Sequence, residues 1–287
     1  MRKLMTLLLF LTALVSYAQP KPAYSIFTAD GKETDYGKML KTLQDADIIF
    51  IGETHNCPVA HWIEYEITSD LIRKSSKGLT LGAEMFETDD QLLVDEYTRG
   101  LISSDKFEAE AKLWDNYWTD YSSLLYLARE HNIRFVATNV PRRYASYVKD
   151  NGLEALDNLS DEAKNLMAPL PIPFDKAARN DAMFGFMQMM GGKDSGSSHF
   201  AEAQAIKDAT MAWFISRNFD RKFIHYNGNF HSDNRGGIIP YLEQYLPGKK
   251  IATVCSVRQD KIDSLDKENS SRADFIIVAP TDFPMSY

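Results

Sequence analysis

The sequence predicts an α/β fold with a mainly parallel central sheet, helices on both faces, and a helical insertion between the third and fourth strands. Six apolar, β-branched runs are continuous rather than alternating, the pattern of strands covered on both faces. Stretches with helical spacing separate the first three runs, and that rhythm of strand, helix, strand calls for parallel neighbours. Between the third and fourth runs lie about 80 residues, more than a single crossover needs.

The N-terminus follows a processing pattern. Arg2 and Lys3 precede an almost wholly apolar stretch from Leu4 to Val15, and Ser16, Tyr17 and Ala18 place small residues where a signal peptidase cuts. Residues 1–18 are therefore expected to be a cleaved signal peptide, which implies an exported protein of the periplasm or cell envelope. Residues 19–287 are expected to form one domain with the insertion at about 142–221. No other segment approaches the length of a membrane span. Cleavage takes two of the 32 basic residues and none of the 40 acidic ones, leaving a net charge of −10 that disfavours nucleic acid or an anionic membrane as partner. A composition 44% hydrophobic and 25% charged excludes disorder.

The expected strands are Ile48 to Ile51, Leu79 to Met85, Ile133 to Thr138, Phe223 to Tyr226, Ile251 to Val257 and Phe275 to Val278. After the first, Pro58 suits an opening helical turn, because its missing N–H costs nothing there, and Val59, Trp62, Ile63, Ile67 and Leu71 trace an apolar face. Leu124, Leu125 and Leu127 mark a helix ahead of the third strand. The insertion carries a Pro-rich turn from Pro169 to Pro173, a Met-rich segment from Met183 to Met190, a flexible stretch from Gly191 to Ser198 and a helix from about Phe200 to Phe214. Trp114, Trp118 and Tyr121 read as an aromatic packing stripe. Cys57 and Cys255 are too few for a disulfide framework, and Cys255, inside an apolar run, reads as a buried thiol with one bridge left open.

Two tetrapeptides carry the chemistry. Gly52-Glu53-Thr54-His55 follows the first strand and Gly228-Asn229-Phe230-His231 follows the fourth. In an open parallel sheet, residues just past the carboxyl ends of strands converge on the ligand crevice. Glu53, His55, Glu84 and His231 are thus candidate catalytic residues, with Asn139, Arg142 and Asn229 on the same rim. His55, Glu84 and His231 would suit zinc, manganese or iron, with Glu53 as general base. The same side chains could instead serve as hydrogen-bonding partners that order the turns.

These motifs, with His61, Glu84-Met85-Phe86-Glu87, Trp114 through Tyr121, Asn139-Val140-Pro141-Arg142 and Gln204 through Ala212, occur in an order that resembles the ChaN-like haem-binding family, within the wider group of Tiki and TraB proteins. The resemblance runs from about Asp47 to Val278. It implies an iron-regulated, haem-binding envelope protein. Its Tiki side implies a metal-dependent hydrolase whose strand-end motifs match His55, Glu84 and His231. ChaN-like proteins are often lipoproteins, and the cysteine that lipidation needs is missing here.

Haem requires an apolar slot, a donor to iron and basic groups for the propionates. Met183, Met187 and Met190 fall on one helical face, and His199, Lys176, Arg179 and Lys193 lie nearby in sequence. The Met trio and His199 are the candidate haem contacts. Read without the resemblance, the Met face fills a core or pairs two subunits in a homodimer, and His199 is a solvated loop residue.

Overall fold

The computed structural model describes residues 22–174 and 199–286. An eight-stranded sheet runs through it: β1 (Ser25–Thr28), β2 (Glu33–Thr34), β3 (Ile48–Glu53), β4 (Leu79–Glu87), β5 (Arg134–Asn139), β6 (Lys222–Gly228), β7 (Ile251–Gln259) and β8 (Phe275–Pro280). Their order is β2-β1-β8-β7-β3-β6-β4-β5. All pairs from β8 to β5 are parallel, and only β1 with its two neighbours is antiparallel. The six expected strands are present. β1 and β2 were not foreseen, because four and two residues are too short to register as apolar runs.

Helices cover both faces. On one side lie α1 (Tyr36–Gln44), α2 (Pro58–Lys74), α3 (Gln91–Thr98), α4 (Ser104–Glu110) and α5 (Ser122–Glu130). The other carries α6 (Arg142–Asn151), α7 (Asp161–Lys164), α8 (Phe200–Asn218) and α9 (Ile238–Tyr245). Alternation along β3 shows why its run is unbroken. Ile49 and Ile51 pack into the first core, and Ile48 and Phe50 into the second. Burying one such side chain contributes roughly 1.5–3 kcal/mol, so a double-faced strand anchors both layers.

α2 begins with Pro58 in its first turn behind Cys57, as its sequence predicts. α6, α7 and α8 belong to the stretch between β5 and β6, whose described residues also include an irregular segment over 165–174. Met183, Met187 and Met190, with Lys176, Arg179 and Lys193, lie outside the described residues. Cys57 and Cys255 are both buried free thiols. No helix among the described residues is long and apolar enough to cross a membrane.

β6 enters between β3 and β4, which places its end between theirs. Glu53, the last residue of β3, stands level with Gly228, the last of β6. β4 breaks register with β5 between Ala83 and Glu87, and Glu84 lies in that irregular stretch.

Candidate functional site

His55, Glu84 and His231 meet at this edge. The Glu84 carboxylate accepts from the Gly228 backbone N–H at 2.8 Å through Oε2, and His231 Nε2 lies 3.1 Å from Oε1. A Cβ on Gly228 would stand 2.7 Å from His55 Nε2 and 3.5 Å from Glu84 Oε2. Only glycine lets these three groups share the space.

Each histidine is oriented by a buried acid. His55 Nδ1 lies 2.6 Å from Glu53 Oε1, which also accepts from the Tyr121 hydroxyl at 2.7 Å. His231 Nδ1 is bonded to Asp208 Oδ1 of α8 at 2.5 Å. His231 is therefore held through both ring nitrogens. Burial opposes its charge, but Glu84 and Asp208 outweigh burial and raise its pKa to about 9. Burial also opposes the charge of Glu84, yet His231 and then His55 hold that carboxyl well below the usual range. For His55, the hydrogen bond to Glu53 and the charge of Glu84 overcome burial, and its pKa is raised.

Both tetrapeptide turns are pinned to one residue of β7. The Thr54 backbone N–H donates to Ser256 Oγ at 3.1 Å, and the Thr54 hydroxyl donates to the Ser256 carbonyl at 3.1 Å. Asn229 Nδ2 donates to that same carbonyl at 2.6 Å. The asparagine is thus a strut, not a reacting group.

Above this floor opens a cavity of about 590 Å³, with Trp114, Val140, Arg142, Lys207 and Phe230 in its wall. Trp114 sets its ring edge-on to His55 at 4.9 Å. The aromatic stripe therefore divides its labour: Trp114 faces the cavity, Tyr121 reaches Glu53, and Trp118 is 64% exposed. The wide π-helical turn from Tyr117 to Tyr121 shifts the angular spacing that a regular helix would give. His199 sits at the start of α8 against Gly152, with Nδ1 3.0 Å from Glu202 Oε1, and is not part of the cavity wall. From sequence Tyr121 reads only as packing and His61 only as a motif residue, and Asp208 and Ser256 have no individual role. A polar residue mid-helix, as Asp208 is, was the available signal.

A family model described as haem-binding uptake, Tiki superfamily, ChaN matches residues 39–242. The chain belongs to this ChaN family. The structure described as cofacial haem binding to ChaN of Campylobacter jejuni aligns with a TM-score of 0.69 and 16% identity, covering 89% of this chain and 96% of that one. A Bacillus cereus protein aligns at 0.47 and 13% identity over 85% and 90%. The erythromycin esterase EreC in its open conformation aligns at 0.46 and 13% over 88% and 82%. No curated protein matches the sequence. What this ChaN-family chain shares with the Campylobacter jejuni structure is the fold.

Proposed function

We propose that this protein is an exported haem-binding protein of the cell envelope that serves haem or iron acquisition. The observation that carries the reading is a carboxylate-oriented imidazole set in the wall of a strand-end cavity, in a chain of a haem-binding family. The volume falls within the ~300–1,000 Å³ of small-molecule and cofactor sites.

The donor set fits haem. Glu53 engages His55 Nδ1, so Nε2 is the nitrogen free to meet iron. Trp114, Val140 and Phe230 supply apolar contact, and Arg142 and Lys207 supply charge partners for propionates. Bound haem would supply an iron centre for the His55 imidazole to meet. Met183, Met187 and Met190 are proposed as further haem contacts, whereas His199, held by Glu202 away from the cavity wall, is left out of that set.

Hemin titration of the purified protein tests this. A saturable Soret band is expected, shifted in His55→Ala and weakened when Met183, Met187 or Met190 is replaced by alanine. A spectrum that stays that of free hemin would overturn the reading. N-terminal sequencing of the mature protein should begin at Gln19, and a retained Met1 would refute export by signal cleavage.

The oriented pair Glu53 and His55 also suits a general base. It supports a second reading, a hydrolase with zinc, manganese or iron on His55, Glu84 and His231. That metal would require His231 to give up one of its two carboxylate partners, so haem binding is preferred. Metal-dependent ester or peptide hydrolysis, lost in His231→Ala, would favour the hydrolase.

A further inference from the structure

Behind the cavity floor lies a second set of groups. Glu53 Oε2 stands 3.2 Å from His61 Nδ1, and Glu64 Oε2 stands 3.3 Å from the same nitrogen. All three residues are buried, with relative exposures of 2% for Glu53, 5% for His61 and 0% for Glu64. Their nearest ligand-type atoms lie within 4.8 Å of one another.

The orientation of His61 is set from its other side. Nε2 lies 3.0 Å from the His55 carbonyl, an acceptor only, so Nε2 carries the hydrogen. Glu53 and Glu64 favour a second hydrogen on Nδ1, and a cation that displaced it would meet a lone pair aimed between two carboxylates. A backbone carbonyl that fixes the tautomer in this way is the usual outer support of a metal-bound imidazole.

Two oxygens in this place make no hydrogen bond among the described residues, Glu53 Oε2 and Glu64 Oε1, although both are buried. A buried carboxylate costs several kcal/mol unless it is paired or coordinates a metal. Asp120 adds a third acid, 3.4 Å from His61 Nε2. A proton on Nδ1 could satisfy only one of the facing carboxylates at a time.

The spacing suits a cation. Ligand atoms around a tetrahedral centre with bonds of ~2.0–2.1 Å stand about 3.3–3.4 Å apart, close to the two separations from His61 Nδ1, and the two carboxylates lie within 4.8 Å of each other. One imidazole with two carboxylates is a hard-to-borderline set suited to zinc. We propose that Glu53, His61 and Glu64 form a binding site for a tetrahedral divalent cation of the zinc type, one layer beneath the strand-end cavity. It shares with that cavity only Glu53, whose other oxygen holds His55 and Tyr121. A cation there would lock Glu53 in place and so steady His55. The site rests on this geometry and not on the haem reading.

The test uses the full mature chain stripped with EDTA and titrated with zinc alone. Saturable binding of one zinc per chain and a raised melting temperature are expected, with a zinc X-ray absorption spectrum showing a single imidazole. Loss of an outer support costs roughly 10–100-fold in metal affinity, so loss of a ligand in Glu64→Gln should cost about 100-fold or more. Absence of saturable binding by the wild-type chain, two imidazoles in its spectrum, or full affinity in folded Glu64→Gln would each overturn the site. The wild-type spectrum decides even if that variant misfolds, and hemin titration of the stripped chain judges the haem reading separately.

Discussion

Replacing His225 with glutamine should flatten the acid limb of the stability curve. His225 is fully buried in the middle of β6, with Nδ1 3.0 Å from Asn227 Oδ1 and Nε2 2.8 Å from Thr138 Oγ1. Asn227 Oδ1 can only accept, so Nδ1 carries the hydrogen, and the single proton of the Thr138 hydroxyl is shared between Nε2 and the Ala83 carbonyl 2.9 Å away. Burial dominates the hydrogen bond and depresses the pKa from 6.5 to about 4. The unfolded chain therefore takes up a proton near pH 6.5 that the folded chain refuses until about pH 4. Stability is present above that interval and is lost as pH falls through it. A pKa difference of about 2.5, at ~1.36 kcal/mol each, gives about 3 kcal/mol. At neutral pH the variant should be weaker than the wild type by about 1–3 kcal/mol, from the broken hydrogen bonds. Urea titrations of both proteins between pH 7 and pH 4 should show the difference moving by about 3 kcal/mol in the variant's favour, which cancels or reverses the deficit. A deficit that stays constant across the range would refute the buried neutral imidazole.

Three other outcomes follow from the site. Asp208→Asn removes one of the charges that hold His231 near 9; because that raised pKa gives stability lost as pH rises through about 9, the variant's urea midpoint should fall less than the wild type's between pH 7 and pH 10. Gly228→Ala drives a Cβ to 2.7 Å from His55 Nε2, and should cost about 1–3 kcal/mol in thermal melts while shifting the haem Soret band. Hemin affinity should weaken as pH falls, since the raised pKa of His55 makes a proton compete with iron for Nε2, and a pH-independent affinity would exclude His55 as the donor.

The parallel sheet was legible because its strands are buried on both faces and write that fact as unbroken apolar runs, as Ile48 to Ile51 does. The meeting of His55, Glu84 and His231 was legible too, since sheet topology alone carries strand ends to a common rim. What lay beyond reading were partners set by packing between layers. Asp208 reaches His231 because α8 lies across the sheet end; its place mid-helix marks it as unusual but does not name its partner. Tyr121 looked like packing because its ring does pack, while its hydroxyl meets Glu53. His61 and Glu64 share a face of α2 at a spacing of three, a pattern that becomes a cluster only once β3 is laid beside it.

Ser256 joins Thr54 across 202 residues of sequence. Such a distant fastening is among the last to form, because long loop closures carry the largest entropic cost and slow folding. Both motifs will have left the ribosome before the strand that unites them does. A chain halted short of β7 would hold every donor yet lack the brace that aligns them, so competence to bind arrives late and all at once.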